Sequence, residues 1–187
     1  MDDHVIDCCS LINLYAGWGG LTELRDLRRT WHVCEAVLNE AEFTREFGPD
    51  GTPLMVPLDV HALTQLGLLL HARPETEQEI EDYVNFATEV DDGEAQALAI
   101  AKHRGFVLLT DDRKAVKVAQ RPDVAVRTTS TPNILQSWAQ LDAGNEAQLH
   151  EVVKRIAVLA RFSPHKDSPD YAWWRRYFQG ALCTHLP

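Results

Sequence analysis

Two short apolar runs in this chain end in carboxylates. One is His4-Val5-Ile6-Asp7; the other is Phe106-Val107-Leu108-Leu109-Thr110 followed by Asp111-Asp112. Runs this short and this apolar suit strands covered on both faces, as in a parallel sheet packed between helices. Further strands are expected at Trp31–Cys34, Leu68–Ala72 and Val124–Val126. Helical spacing separates them. It is read at Ser10–Tyr15, along Leu21, Leu24 and Leu27, and over Ala36–Phe47, Val60–Leu66, Glu75–Thr88, Gly93–His103 and Arg113–Ala119. Gly48-Pro49-Asp50-Gly51 is a turn, and Gly105 follows a helix in the position that favours glycine. In the helix over 75–88, Ile80, Tyr83, Val84 and Ala87 form the expected inward face, and Glu75, Glu77, Glu79, Glu81 and Asp82 a solvated one. Alternating strands and helices give an α/β class with a mostly parallel sheet.

From about Thr131 onward the pattern is helical, over Ile134–Leu141 and Ala147–Leu159, and ends in the aromatic stretch Tyr171–Phe178. The expected organisation is one domain over 1–133 with a helical extension over 134–187 packed on it. The aromatic stretch reads as a helix docked on the core.

Open parallel sheets bind ligands beyond the carboxyl ends of their strands. Asp7, Asp111 and Asp112 fall at two such ends, and they meet if those strands are neighbours. Glu40 and Glu94 lie on helices able to lean over the same point. Asp7, Glu94 and the Asp111–Asp112 pair also suit helix caps and first turns, and Glu40 suits a solvated face. Converging carboxylates hold their protons unless a cation sits between them, and oxygen-only donors suit Mg²⁺ or Mn²⁺. Such ions activate water at a phosphodiester.

Charge is distributed unevenly. The net charge is -10, with nine acids and no base over 75–94, then three acids and seven bases over 95–127. Arg113, Lys114 and Lys117, with Lys102 and Arg104, are candidates to hold phosphates beside an acidic site. The eight histidines have no ligand spacing. The four cysteines Cys8, Cys9, Cys34 and Cys183 form no CxxC pair, which argues for a reduced, cytoplasmic protein without disulfides. An acidic amino terminus and the lack of a long apolar run argue against a leader or membrane span. Cys8-Cys9 has no neighbouring base that would make a thiol nucleophile.

Four segments together resemble the PIN domain family of metal-dependent ribonucleases, including its VapC-like toxins. They are Val5-Ile6-Asp7-Cys8-Cys9-Ser10-Leu11-Ile12-Asn13-Leu14, Val37-Leu38-Asn39-Glu40, Asp92-Gly93-Glu94-Ala95-Gln96-Ala97-Leu98-Ala99-Ile100-Ala101 and Leu108-Leu109-Thr110-Asp111-Asp112-Arg113. The resemblance implies a three-layer α/β/α fold and hydrolysis of RNA with Mg²⁺ or Mn²⁺. It matches Asp7, Glu40 and Glu94 to the first three family acids, and either Asp111 or Asp112 to the fourth. Thr110 and Ser10 would support the site. It also implies a possible antitoxin partner that fills the cleft, and a possible homodimer. Cys8 and Cys9 depart from the small residues usual after the first acid. Two other readings compete: a non-catalytic PIN-like module that binds a protein partner, and an acid-based phosphohydrolase or receiver-like domain. Cys9 stands where the phosphohydrolase pattern needs a second aspartate.

Overall fold

The computed structural model describes residues 2–183, with side chains as far as Gln179. His185 and the Cys183 side chain lie outside the described residues. In chain order the strands are β1 (Asp3–Ile6), β2 (Thr30–Cys34), β3 (Phe43–Phe47), β4 (Pro53–Pro57), β5 (Leu70–Ala72), β6 (Val107–Leu109) and β7 (Thr128–Thr129). The helices are α1 (Cys8–Trp18), α2 (Glu35–Glu40), α3 (Val60–Gln65), α4 (Glu77–Phe86), α5 (Asp92–Arg104), α6 (Arg113–Ala119), α7 (Thr131–Ala139), α8 (Ala143–Arg155) and α9 (Tyr171–Cys183). A 3₁₀ turn covers Thr22–Arg25, and a π turn, Ile156–Ala160, continues α8.

Five strands form one parallel sheet in the order β5-β2-β1-β6-β7. β1 is central, and the chain winds outward from it first to one side and then to the other. The reversal falls between β1 and β6, where Val5 pairs with Leu108 and Ile6 with Leu109. A crevice opens at such a switch point because the connections leave in opposite directions. Helices cover the sheet, which gives the three-layer architecture. α5 is buried along Gly93–Ala101 and packs on β1, β2 and β6. Its alanines at 95, 97, 99 and 101 allow close approach to the sheet on one side and to α4 on the other. α1 instead packs on α7 and α8. A Cβ on Gly17 would lie 2.8 Å from Ile156 side-chain carbons, so glycine is what permits that approach.

Trp174 is buried, with Phe162 edge-on to it at 5.4 Å between ring centroids. Arg155 donates to the Ala16 and Gly17 carbonyls at 3.0 and 3.1 Å, closing the end of α1.

Several local expectations are corrected. The helix expected over Ala36–Phe47 stops at Glu40, where Glu42 N–H donates back to the Glu40 carbonyl at 2.9 Å in a three-residue turn. The rest becomes β3, paired antiparallel with β4 around the Gly48–Gly51 turn. The acids and phenylalanines of this stretch fit a helical wheel, but Phe43-Thr44-Arg45 also alternates, and pairing with β4 decided the outcome. Val124–Val126 is no strand. Ala125 has φ 50°, and the last sheet strand is Thr128–Thr129. α1 runs past Tyr15 to Trp18, and Gly19, at φ 78°, ends it.

The inward face of α4 is met only in part: Tyr83 packs against the core and Glu75, Glu77 and Glu81 are exposed as expected, but Ala87 is exposed too. Ile80 and Val84 are exposed, while Glu79 and Phe86 are buried. Ion pairs explain this. Arg104 Nε donates to Glu79 Oε1 at 2.7 Å, and Asp82 Oδ2 lies 2.8 Å from Lys102 Nζ and 2.6 Å from His103 Nε2. Glu79 also accepts from the Glu75 and Thr76 N–H groups as part of a capping box. The adjacent acidic and basic blocks of the sequence therefore neutralise each other in part across the antiparallel α4–α5 pair. Lys102 and Arg104 are held there, at the far end of α5 from Glu94, so they do not flank the acidic site.

The Arg104 guanidinium pulls the Glu79 carboxyl down to about 2, against burial that raises it. Its unfolded value is about 4.3. A depressed carboxyl contributes stability above the unfolded value and loses it as the pH falls through the folded one. Arg104→Ala should therefore destabilise the protein by about 2 kcal/mol near neutral pH. In urea melts the difference from wild type should shrink between about pH 4 and pH 2.

Candidate active site

The site begins with β1–β6 pairing. One residue past the register, Asp7 N–H donates to the Leu109 carbonyl at 3.1 Å, and Thr110 N–H donates to the Thr129 carbonyl at 3.1 Å. These bonds fix Asp7 and Thr110 side by side where the sheet ends. Asp7 is also the N-cap of α1, its Oδ1 accepting from Ser10 N–H at 2.7 Å. It has no solvent exposure, and its other oxygen, Oδ2, has no hydrogen-bond partner among the described residues. Burial drives its carboxyl up to about 7, and nearby Asp111 adds to the rise. The Thr110 and Ser10 groups beside it pull the other way.

The aspartate pair divides its work. Asp111 is half-buried and accepts from Thr131 N–H at 3.0 Å, Asn13 Nδ2 at 2.9 Å, Ser10 Oγ at 3.3 Å and Thr131 Oγ1. Burial raises its carboxyl in spite of these donors. Asp112 caps α6, its Oδ1 accepting from Lys114 and Ala115 N–H at 2.7 and 2.8 Å. Its own N–H donates to Thr110 Oγ1 at 3.1 Å. Asn13, on α1, and Thr131, at the start of α7, are site residues that sequence reasoning missed. Only the helical spacing of Asn13 from Ser10 hinted at a shared face, and nothing local marked Thr131.

Glu94 is buried in the first turn of α5, and burial raises its carboxyl, with Asp91, Asp112 and Glu40 adding like charge. Glu40 is exposed at the end of α2; partial burial and then Asp92 raise it, while the Gly93 N–H pulls it down. The two helices meet there because residue 93 is glycine. A Cβ would stand 3.0 Å from Glu40 Oε2 and 3.3 Å from Val37 Cγ2.

Like charge thus reaches Asp7 from Asp111, and Glu94 from Asp112 and Glu40. Cys9 is exposed, and partial desolvation with the fields of Asp7, Glu94, Asp111 and Asp112 raises its thiol. Cys8, under burial and the fields of Cys9, Glu40, Asp7 and Glu94, rises to about 12 as well. Such thiols are poor nucleophiles. Among the described residues, no three His, Cys, Asp or Glu side chains stand close enough to hold a metal ion together. The donor chemistry nevertheless fits a hard cation: the acids supply oxygen only, and Asp7 Oδ2 is a buried acceptor without a donor.

A cavity of about 650 Å³ continues from the acids. Thr110, Asp111 and Asp112 form one end of it, and Arg113 and Lys117 of α6 line it, whereas Lys114 does not.

A family model described as a PIN domain matches residues 3–142, three quarters of the chain, and the chain belongs to the PIN domain family. Members of this family are generally nucleases. No curated protein and no solved structure matches the chain. Among the described residues no helix is long and apolar enough to cross a membrane.

The Asp7 carboxyl supplies a stability test. A carboxyl raised from about 3.9 to about 7 binds a proton in the folded state that the unfolded chain has released. Stability is fully present below the unfolded value and falls as the pH rises through the folded one. Asn keeps the shape and the cap without the ionisation. In EDTA, Asp7→Asn should raise the stability by about 1–3 kcal/mol at pH 8 and change it little at pH 4. Thermal melts at both pH values check this.

Proposed function

We propose that the protein is a Mg²⁺- or Mn²⁺-dependent endoribonuclease. The observation that carries this reading is the buried, unpartnered Asp7 Oδ2, to which Asp111 adds like charge. Asp7, Glu94 and Glu40, with Asp111 or Asp112, would hold the cation. When bound, it would polarise the phosphodiester and supply water acidic enough to act as a nucleophile near neutral pH. The protein's own residues do the rest. Thr110 and Ser10 orient Asp7, and Asn13 and Thr131 fix the direction of Asp111. Arg113 and Lys117 stand beside the acids, where they can neutralise strand phosphates.

The family resemblance adds a VapC-like toxin setting in the cytoplasm. There a homodimer, and an antitoxin segment whose cationic side chains enter the acidic mouth, would be the partners. One observation favours the non-catalytic module instead. Four donors already occupy the Asp111 carboxylate, and Asp112 caps a helix. Both groups therefore have structural work without any metal.

The deciding experiment is cleavage of mixed single-stranded RNA with Mn²⁺, Mg²⁺ or EDTA. Wild type should cleave only with metal. Asp7→Asn and Glu94→Gln should each lose at least about a hundredfold in kcat, the scale of removing one charge-stabilising group. Cys8→Ser should stay active. Well-folded wild type that is inactive with both metals would leave the binding module as the better reading.

A further inference from the structure

The cavity beside the acids has two walls of different chemistry. One is a face of α6, where Arg113, Lys117 and Gln120 are exposed and line the space. Neither Arg113 nor Lys117 makes an ion pair among the described residues. The facing wall comes from residues 162–170, outside the family match, and presents Phe162, Pro164, His165 and Pro169. Thr129, which ends β7, and Ser130, which caps α7, line the space as well.

That second wall is anchored at both ends. Arg161, at φ 58°, turns the chain out of the π turn, and Phe162 packs edge-on against buried Trp174. At the other end Asp170 accepts from Ser130 Oγ at 2.7 Å and Asn133 Nδ2 at 3.2 Å. Four carboxylates also line the space, and hydrogen bonds from neutral donors orient them while leaving their charge in place. Asp170 has these two donors, Asp111 has Thr131, Asn13 and Ser10, and Asp112 has the α6 amides. Asp167 lies 3.3 Å from His165 Nδ1. Asp111 and Asp112 belong to the acidic site, Asp167 and Asp170 lie within residues 162–170, and the α6 side carries the cations Arg113 and Lys117, with ring and proline surface from Phe162, Pro164, His165 and Pro169. A polyanionic chain with flat bases matches both walls at once.

We propose that this slot seats the RNA nucleotides adjoining the scissile phosphate. Their phosphates lie against Arg113 and Lys117, and a base lies against the Phe162–His165 wall. The carboxyl-terminal segment thereby makes a subsite that the PIN domain alone lacks. This rests on the ribonuclease reading, because the strand enters the slot past Asp111 and Asp112.

The test separates binding from chemistry. Binding of a fluorescein-labelled uridine hexanucleotide is followed by anisotropy in EDTA at several salt concentrations, and cleavage is assayed separately with Mn²⁺. Lys117→Glu should weaken binding about tenfold and lower the salt slope by about one. His165→Ala should weaken it about fivefold, the scale of one lost stacking surface. Lys154→Glu, the same charge change on α8, should bind as wild type. Both substituted slot residues are exposed, so the variants should fold. The slot is overturned if wild type does not bind, if Lys117→Glu and His165→Ala bind like wild type, or if Lys154→Glu weakens binding equally. Metal-dependent cleavage would still uphold the nuclease in each of those cases. Binding that depends on Lys117 and His165, with no cleavage under any metal, keeps the slot and overturns the nuclease.

Discussion

Everything about the acidic site depends on the sheet pairing that holds Asp7 out of water. The Asp7 N–H bonded to Leu109 places its side chain at the switch point, and α1 begins immediately afterwards, so the carboxylate is covered from the start. A carboxyl in that position must keep its proton, find donors or meet a cation. Ser10 N–H satisfies only one of its oxygens. The surrounding structure raises the cost of ionisation further by setting Asp111 nearby. Such an arrangement is unfavourable for folding alone, and groups perturbed by burial together with a neighbouring charge concentrate at functional sites.

The fold was legible where local pattern and tertiary demand agreed. The apolar runs at Val5-Ile6 and Val107–Leu109 could be buried on both faces, and they form neighbouring strands of the central sheet. Phe43–Phe47 was misread because its periodicity fits two structures and its partner strand, Pro53–Pro57, is rich in proline. The orientation of α4 was hidden for another reason. Apolar spacing nominated Ile80 and Val84, but a buried ion pair with α5 outweighed their burial. A distant charge partner of this kind leaves no mark in a local window.

Of the candidate site, the positions of the acids in the fold could be read but not those of their neighbours. Asp7, Glu94, Asp111 and Asp112 stand at strand or helix ends that the sequence marks clearly. The donors to Asp111 come from α1 and α7, and Thr131 is a residue type with many ordinary roles. The facing wall of the cavity was equally invisible, because Phe162, Pro164 and His165 follow no periodic pattern.

The β1–β6 pairing also has a consequence in time. Ser10 and Asp111, which share a hydrogen bond, are 101 residues apart in the chain. At a synthesis rate of about 5–20 residues per second, Asp7 and Ser10 emerge from the ribosome roughly 5–20 s before Leu109 and Asp111. Through that interval β1 has no β6, and the nascent chain carries its first acid without a site around it. The acidic constellation is thus a late product of folding: it exists only after the second half of the sheet has closed.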